Sequence, residues 1–251
     1  MGNCNWQTVR AIVLGQVPIW LLATGLTWAA NPAHVRQLLI TRSCRRCDLE
    51  GVLLQEADLP DADLAQANLQ GAILRATNLF GANLQSANLT GAELSDVLLT
   101  QADLTDSTLR DSQMAFTRLA KATLLRADLQ AANLTGAIAI EANLQAANLT
   151  AANLTDASLL KANLGRATLT SANLQDTDMF GVMLFRADLT NANLSGAILA
   201  NGRLVRADFS GANLTDANLS NAVVRESLFE EAIFCRTIMP DYTQNDADCP
   251  E

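Results

Sequence analysis

The chain has 251 residues, 49% of them apolar, which is enough to bury a core and excludes a wholly disordered segment. Only 4% are aromatic, and Trp6, Trp20 and Trp28 all precede the body of the chain, so a globular core built on rings is excluded. A formal net charge of −9 repels phosphate backbones, and a single histidine, His34, without a His/Cys cluster removes most general-base and metal chemistry.

Arg10 precedes a largely apolar run from Ala11 to Trp28, followed by Ala29 and Ala30. That is the order of charged, hydrophobic and cleavage regions in a secretory signal peptide, so residues 1–30 are expected to be removed on export. An uncleaved anchor is the alternative, since such a run can just span a bilayer. Cys4 would leave with the leader, and the mature chain would keep Cys44, Cys47, Cys235 and Cys249. An even count in an exported chain favours disulfides over a metal site. Residues 31–46 read as an N-terminal cap. Pro32 suits a first helical turn, Val35, Leu38 and Leu39 form one apolar face, and His34 is expected at the surface.

From Leu49 the sequence repeats in steps of five to Phe234, giving 38 centres without an insertion or deletion. Thirty-one are Leu; the others are Met114, Ala139, Met179, Phe209, Val224, Phe229 and Phe234. Two residues before each centre the side chain is small, Ala at 27 of the 38, and the residue just before the centre is usually Asn or Asp. In an α-helix a step of five scatters the leucines around the circumference, and in a strand an odd step sends alternate leucines to opposite faces. Neither buries this pattern. A coil that bends once per repeat does, with the centre and the small residue inward and the other three positions outward. Eight of the ten glycines in this region, among them Gly51, Gly136 and Gly196, sit two after a centre, where a corner needs permissive angles.

Segments such as Ala67-Asn68-Leu69-Gln70-Gly71 and Ala87-Asn88-Leu89-Thr90-Gly91 closely resemble the pentapeptide-repeat family, over residues 47–236. The resemblance implies an all-β right-handed quadrilateral β-helix, a solenoid of four pentapeptides per coil and about 9.5 coils. At about 4.8 Å per coil the shaft is roughly 45 Å long. Both ends need covers, since an open coil exposes leucines and unpaired backbone: the short helical cap at one end and residues 237–251 at the other. The shaft length forbids bridges between ends, so Cys44 is expected to pair with Cys47 and Cys235 with Cys249. A redox-active C-x-x-C is the alternative for the first pair, without a supporting βαβ pattern.

The repeat absorbs several motifs. N-x-S/T matches such as Asn148 and Asn213 follow from Asn before a centre, and paired carboxylates recur because Asp shares that slot. There is no Gly-rich phosphate loop, serine-nucleophile elbow or metal spacing, so neither catalysis nor a cofactor is expected. Residues 20 apart should stack. Arg166, Arg186 and Arg206 then form a column suited to an anion or acidic partner, with Arg126 two coils away beyond Ala146, unless Asp128, Asp188 and Asp208, two residues after Arg126, Arg186 and Arg206, neutralise them. Asp156, Asp176 and Asp216 form a broken acidic column opposite. Ile140, Leu160 and Phe180 form an apolar stripe with Met183, Phe185 and Val205 nearby, a candidate surface for an unknown partner or for self-association. The family resemblance implies a non-enzymatic scaffold or protein-binding module, exported to the periplasm or thylakoid lumen as in cyanobacterial members with cysteine pairs at both ends. No nucleic acid and, after cleavage, no membrane is expected as partner. The alternative is a DNA mimic resembling the quinolone-resistance members that occupy gyrase, which the acidity fits and the export signal does not.

Overall fold

The computed structural model describes residues 30–250, so the expected leader, apart from Ala30, lies outside the described residues. No helix among the described residues is long and apolar enough to cross a membrane. Helix α1 spans Pro32–Thr41; Asn31 caps it by accepting the Ala33 amide on its side chain, and Arg42 ends it in the left-handed conformation. Val35 and Leu38 are buried and Leu39 packs partly against the core, which is the apolar face the sequence predicts. Two short strands, β1 (Thr237–Ile238) and β2 (Gln244–Asn245), pair antiparallel at the other end.

Between them runs a solenoid held by parallel bridges, each joining a residue to the one 20 positions on, from Ser43 with Asp63 to Asn218 with Ile238. The five-residue period determines how every backbone N–H is used. In the repeat around Leu69, the Leu69 amide donates to the Asn68-type carbonyl one coil on, Asn88, and the Gly71 amide donates to Thr90. Ala72 closes a turn onto the Leu69 carbonyl, while Asn68 donates back to Cys47. The fifth amide, Gln70, donates to the Asn68 side-chain Oδ1 at 3.3 Å. Asn or Asp before each centre therefore meets the one amide that the coil cannot satisfy.

Every fifth residue from Arg46 to Arg236 has φ between 53° and 71°. The glycines revealed only some of these corners, because Arg, Asp, Lys and even Phe116 adopt the same left-handed angles. Each non-glycine corner costs about 1–2 kcal/mol of local strain, and each corner amide returns part of it through a ladder bond worth about 1 kcal/mol net. The inward leucines supply the rest. From Leu49 to Leu219 every centre is at most 3% exposed, as are most of the small residues facing it. Buried hydroxyls in the small slot are also satisfied: Thr77 Oγ1 donates to the Leu54 carbonyl and Thr117 Oγ1 to Leu94, both at 2.7 Å.

Four left-handed residues, called corners below, punctuate each 20-residue return and leave four short segments, called sides. In the return from Thr177 to Gly196, side I is residues 177–180, side II 182–185, side III 187–190 and side IV 192–195, with corners at Gly181, Arg186, Asn191 and Gly196. A residue 20 positions away lies on the same side. At the C-terminal end the Phe209 and Phe229 rings stack 5.0 Å apart and Phe234 tilts against Phe229 at 5.8 Å, so the few aromatic centres fill the last coils.

Candidate functional site

The cysteines pair as the sequence predicts, Cys44 with Cys47 and Cys235 with Cys249, and each bridge sits at one end of the solenoid. His34, expected as a plain surface residue, is half-buried and acts as a tether: its Nδ1 accepts the Asp48 amide at 3.0 Å and holds α1 onto the first coil. Its sequence neighbours gave no sign of this, since the partner lies 14 residues away.

The arginine column is not neutralised as expected from residues two positions on. Ion pairs instead run along the column. Arg126 grips Asp106 through Nε and Nη2 at 2.7 and 2.6 Å, and Arg206 Nε donates to Glu226 at 2.6 Å. The hydrogen bonds from Arg126 hold the Asp106 carboxyl below the usual carboxylate range, and those from Arg206 do the same for Glu226. Asp128 and Asp188 are engaged elsewhere: their Oδ1 atoms accept the amides of Gln130 and Thr190, while Asp128 Oδ2 pairs with Arg110 at 3.3 Å and Asp188 Oδ2 accepts the Thr170 hydroxyl at 3.0 Å. Arg166 and Arg186 make no ion pair among the described residues; the Arg186 guanidinium lies 5.2 Å from the Phe185 ring centroid. On the opposite corner Asp216 is taken by Arg236, whereas Asp156 and Asp176 have no cationic partner among the described residues. Asp176 leans over Gly196, where an added Cβ would come within 2.1 Å of its Oδ1, so that glycine makes room as well as a corner.

The apolar stripe is wider than the sequence suggested. Phe180, Met183 and Phe185 are 38–40% exposed, and Ile140, Leu160 and Val205 are half-buried. Ile138 and Ile198, at 40% and 42% exposure, join them on side I. They escaped notice because they occupy the Asn slot and belong to a neighbouring stack. Gly181 is the corner between Phe180 and Met183; it adds no side chain of its own, and the stem of Lys161, one coil back, leans over it. As at other slots without Asn or Asp, such as Ile73 and Leu98, the amides two residues after Ile138, Met183, Ile198 and Arg203, those of Ile140, Phe185, Ala200 and Val205, have no acceptor among the described residues.

A comparison of this chain with protein-family models matches pentapeptide repeats in eight copies, over residues 43–79, 77–114, 112–150, 147–184, 187–225 and 212–239. The chain belongs to the pentapeptide-repeat family. Among solved structures it is similar to HetL, a pentapeptide repeat protein involved in heterocyst differentiation regulation from the cyanobacterium Nostoc sp. strain PCC 7120, at 30% identity over 84% of this chain and 97% of that one, with a TM-score of 0.55. QnrB1, a plasmid-mediated fluoroquinolone resistance protein, is 16% identical over 70% of this chain and 90% of its own, with a TM-score of 0.45. A pentapeptide repeat protein from the Arabidopsis thaliana thylakoid lumen is 26% identical over 41% of this chain and 71% of its own, with a TM-score of 0.21. No curated protein matches the chain. The family and the likeness to HetL support a β-helical solenoid.

Proposed function

We propose that this protein is a non-enzymatic, exported binding module that works through the apolar band of sides I and II, displayed on a right-handed quadrilateral shaft of about 9.5 coils. The observation that carries the reading is the grouping of Ile138, Ile140, Leu160, Phe180, Met183 and Phe185 on the two sides that meet at the Gly181 corner, on a surface that elsewhere exposes apolar residues such as Leu53, Leu228 and Ile233. A contiguous exposed apolar patch of this kind marks an interaction site, whereas scattered apolar residues do not. Two disulfides at the ends favour an oxidising compartment, the periplasm or thylakoid lumen. The DNA-mimic alternative needs a continuous acidic surface, and Arg166, Arg186 and Arg203 beside the band work against it.

The test is cross-linking in the native compartment with the wild type and with Phe180→Lys. The protein is expected in the non-cytoplasmic fraction, beginning near Ala30, with at least one cross-linked species lost in the variant. A cytoplasmic protein with an intact Met1, or an identical set of cross-links in both, would overturn the reading.

A further inference from the structure

We infer that the occupant of the band is a second copy of this chain, with side I of one copy seated on side II of the next. The inference rests on the binding-module reading and names its partner. Its warrant is the distribution of charge around the band. The outer edge of side I carries Asp156 and Asp176, with Asp178 on the side itself, and none has a cationic partner among the described residues. Side II carries Arg203, and its outer edge carries Arg166 and Arg186, which are likewise without ion pairs among the described residues. A foreign acidic partner would suit side II and be repelled by side I, and a basic one would do the reverse. Another copy offers each side its complement.

Heights and apolar contacts agree with this pairing. Asp156 and Arg166, like Asp176 and Arg186, are 10 residues apart in a 20-residue return, half a coil or about 2.4 Å along the shaft, which an Arg side chain spans easily. The edge shared by sides I and II runs from Lys161 to Gly181 and Asn201; the Lys161 stem leans over Gly181 and must turn aside for copies to approach there. Seating the sides together also covers Phe180 and Ile198 against Met183, Phe185 and Val205, and it places carboxylates beside the unmatched amides of Phe185 and Val205. Sides I and II are consecutive sides of a four-sided shaft and differ by about a quarter turn. A contact between unlike faces related by that rotation closes into a ring of four parallel copies and leaves no open end. Pairing side I with itself about an axis along the shaft would leave side II and the Arg166 and Arg186 edge without a partner, and pairing about an axis across it would set the Asp edge against itself.

The experiment measures the mass in solution of the full chain and of outward-slot variants that leave the fold intact by circular dichroism. The wild type is expected as a tetramer. Phe180→Lys, which spoils side I, and Phe185→Lys, which spoils side II, are each expected as monomers. An equimolar mixture of the two is expected to form a 1:1 dimer and nothing larger, because one intact side I meets one intact side II. Asp176→Arg and Arg186→Asp should each weaken assembly about tenfold or more, and the double reversal should restore it. A monomeric wild type overturns the inference. If in that case Phe180→Lys still loses a foreign cross-linked protein, the binding-module reading survives alone; if it loses none, both fall. Persistent dimers of Phe185→Lys, or no rescue on mixing, would refute the pairing of unlike sides.

Discussion

Sides I and IV of the shaft share a corner, a backbone ladder and an inward row of leucines, yet their outer surfaces have opposite character. On side IV, Asn173 donates through Nδ2 to Asn153 at 3.3 Å, Asn193 to Asn173 at 3.0 Å and Asn213 to Asn193 at 3.4 Å. Each of these side chains also accepts the amide two residues on, as Asn173 does from Gln175. Side I puts Ile138, Asp178 and Ile198 in the same slots and breaks the amide ladder. The inward slots decide that the chain coils, and the outward slots are free to serve solubility on one side and contact on another. A site that gives up local satisfaction without gaining packing in the monomer is where function is to be sought.

The largest expected effect tests whether the difference is confined to the outside. Leu154, behind side IV, and Leu159, behind side I, are both almost fully buried. Leu154→Asp and Leu159→Asp each bury a carboxylate among leucines without a counter-ion, at a cost above the roughly 2–5 kcal/mol of deleting such a side chain. Urea unfolding should show both variants largely unfolded, and Gln145→Asp on an outward slot close to wild type. Two very different losses for the leucines would show that the sides differ in their cores as well.

The contrast was only partly legible in the sequence. The five-residue step required a coil, and the inward assignment of Leu69 or Ala72 follows from period alone. Glycine marked corners such as Gly136 and Gly196, but the left-handed angles at Asp176 or Arg186 come from the return of the ladder, which overrides local preference. The stack of Ile140, Leu160 and Phe180 was visible by stepping 20 residues. Ile138 and Ile198 were not read as part of the band, because they share its side and not its stack. The direction of the Arg126 pair, along the column to Asp106, depended on knowing that Asp128 is held by its own turn amide and by Arg110. His34 was expected at the surface, and its acceptor role could not be read, since it comes from how α1 docks.

Restoring the ladder on side I should undo the contrast. Ile198 lies between Asp178, one coil back, and Asn218, one coil on. Ile198→Asn would supply Oδ1 for the Ala200 amide and a ladder partner for both neighbours, while removing an exposed apolar side chain. The expected gain is about 0.5–1 kcal/mol in monomer stability by urea unfolding, together with weaker self-association. Asn173→Ala on side IV should lose about 1 kcal/mol and leave association unchanged. If Ile198→Asn destabilised the monomer, the unmatched amide of Ala200 would not be the cost assigned to it.

Acid should discriminate the polar sides more gently. Asp188, on side III, is partly buried, which by itself raises its carboxyl pKa; hydrogen bonds from the Thr190 hydroxyl, the Thr190 amide and the Thr170 hydroxyl outweigh that and hold it below the usual carboxylate range. These bonds are at 2.5, 2.9 and 3.0 Å. A carboxyl whose folded pKa lies below its unfolded one adds stability that is fully present above the unfolded value near 3.9, and loses it as pH falls through the folded value. Wild-type stability at constant ionic strength should therefore decline from about pH 4 downward. Asp188→Asn, which keeps an acceptor for the Thr190 amide but cannot take up a proton, should be less stable than the wild type at neutral pH and show a shallower decline over the acid range, so that the two converge at low pH. Equal slopes for the two proteins below pH 4 would show that the Thr170 and Thr190 hydroxyls do not favour the charged carboxylate, and that the acid response of the shaft arises elsewhere.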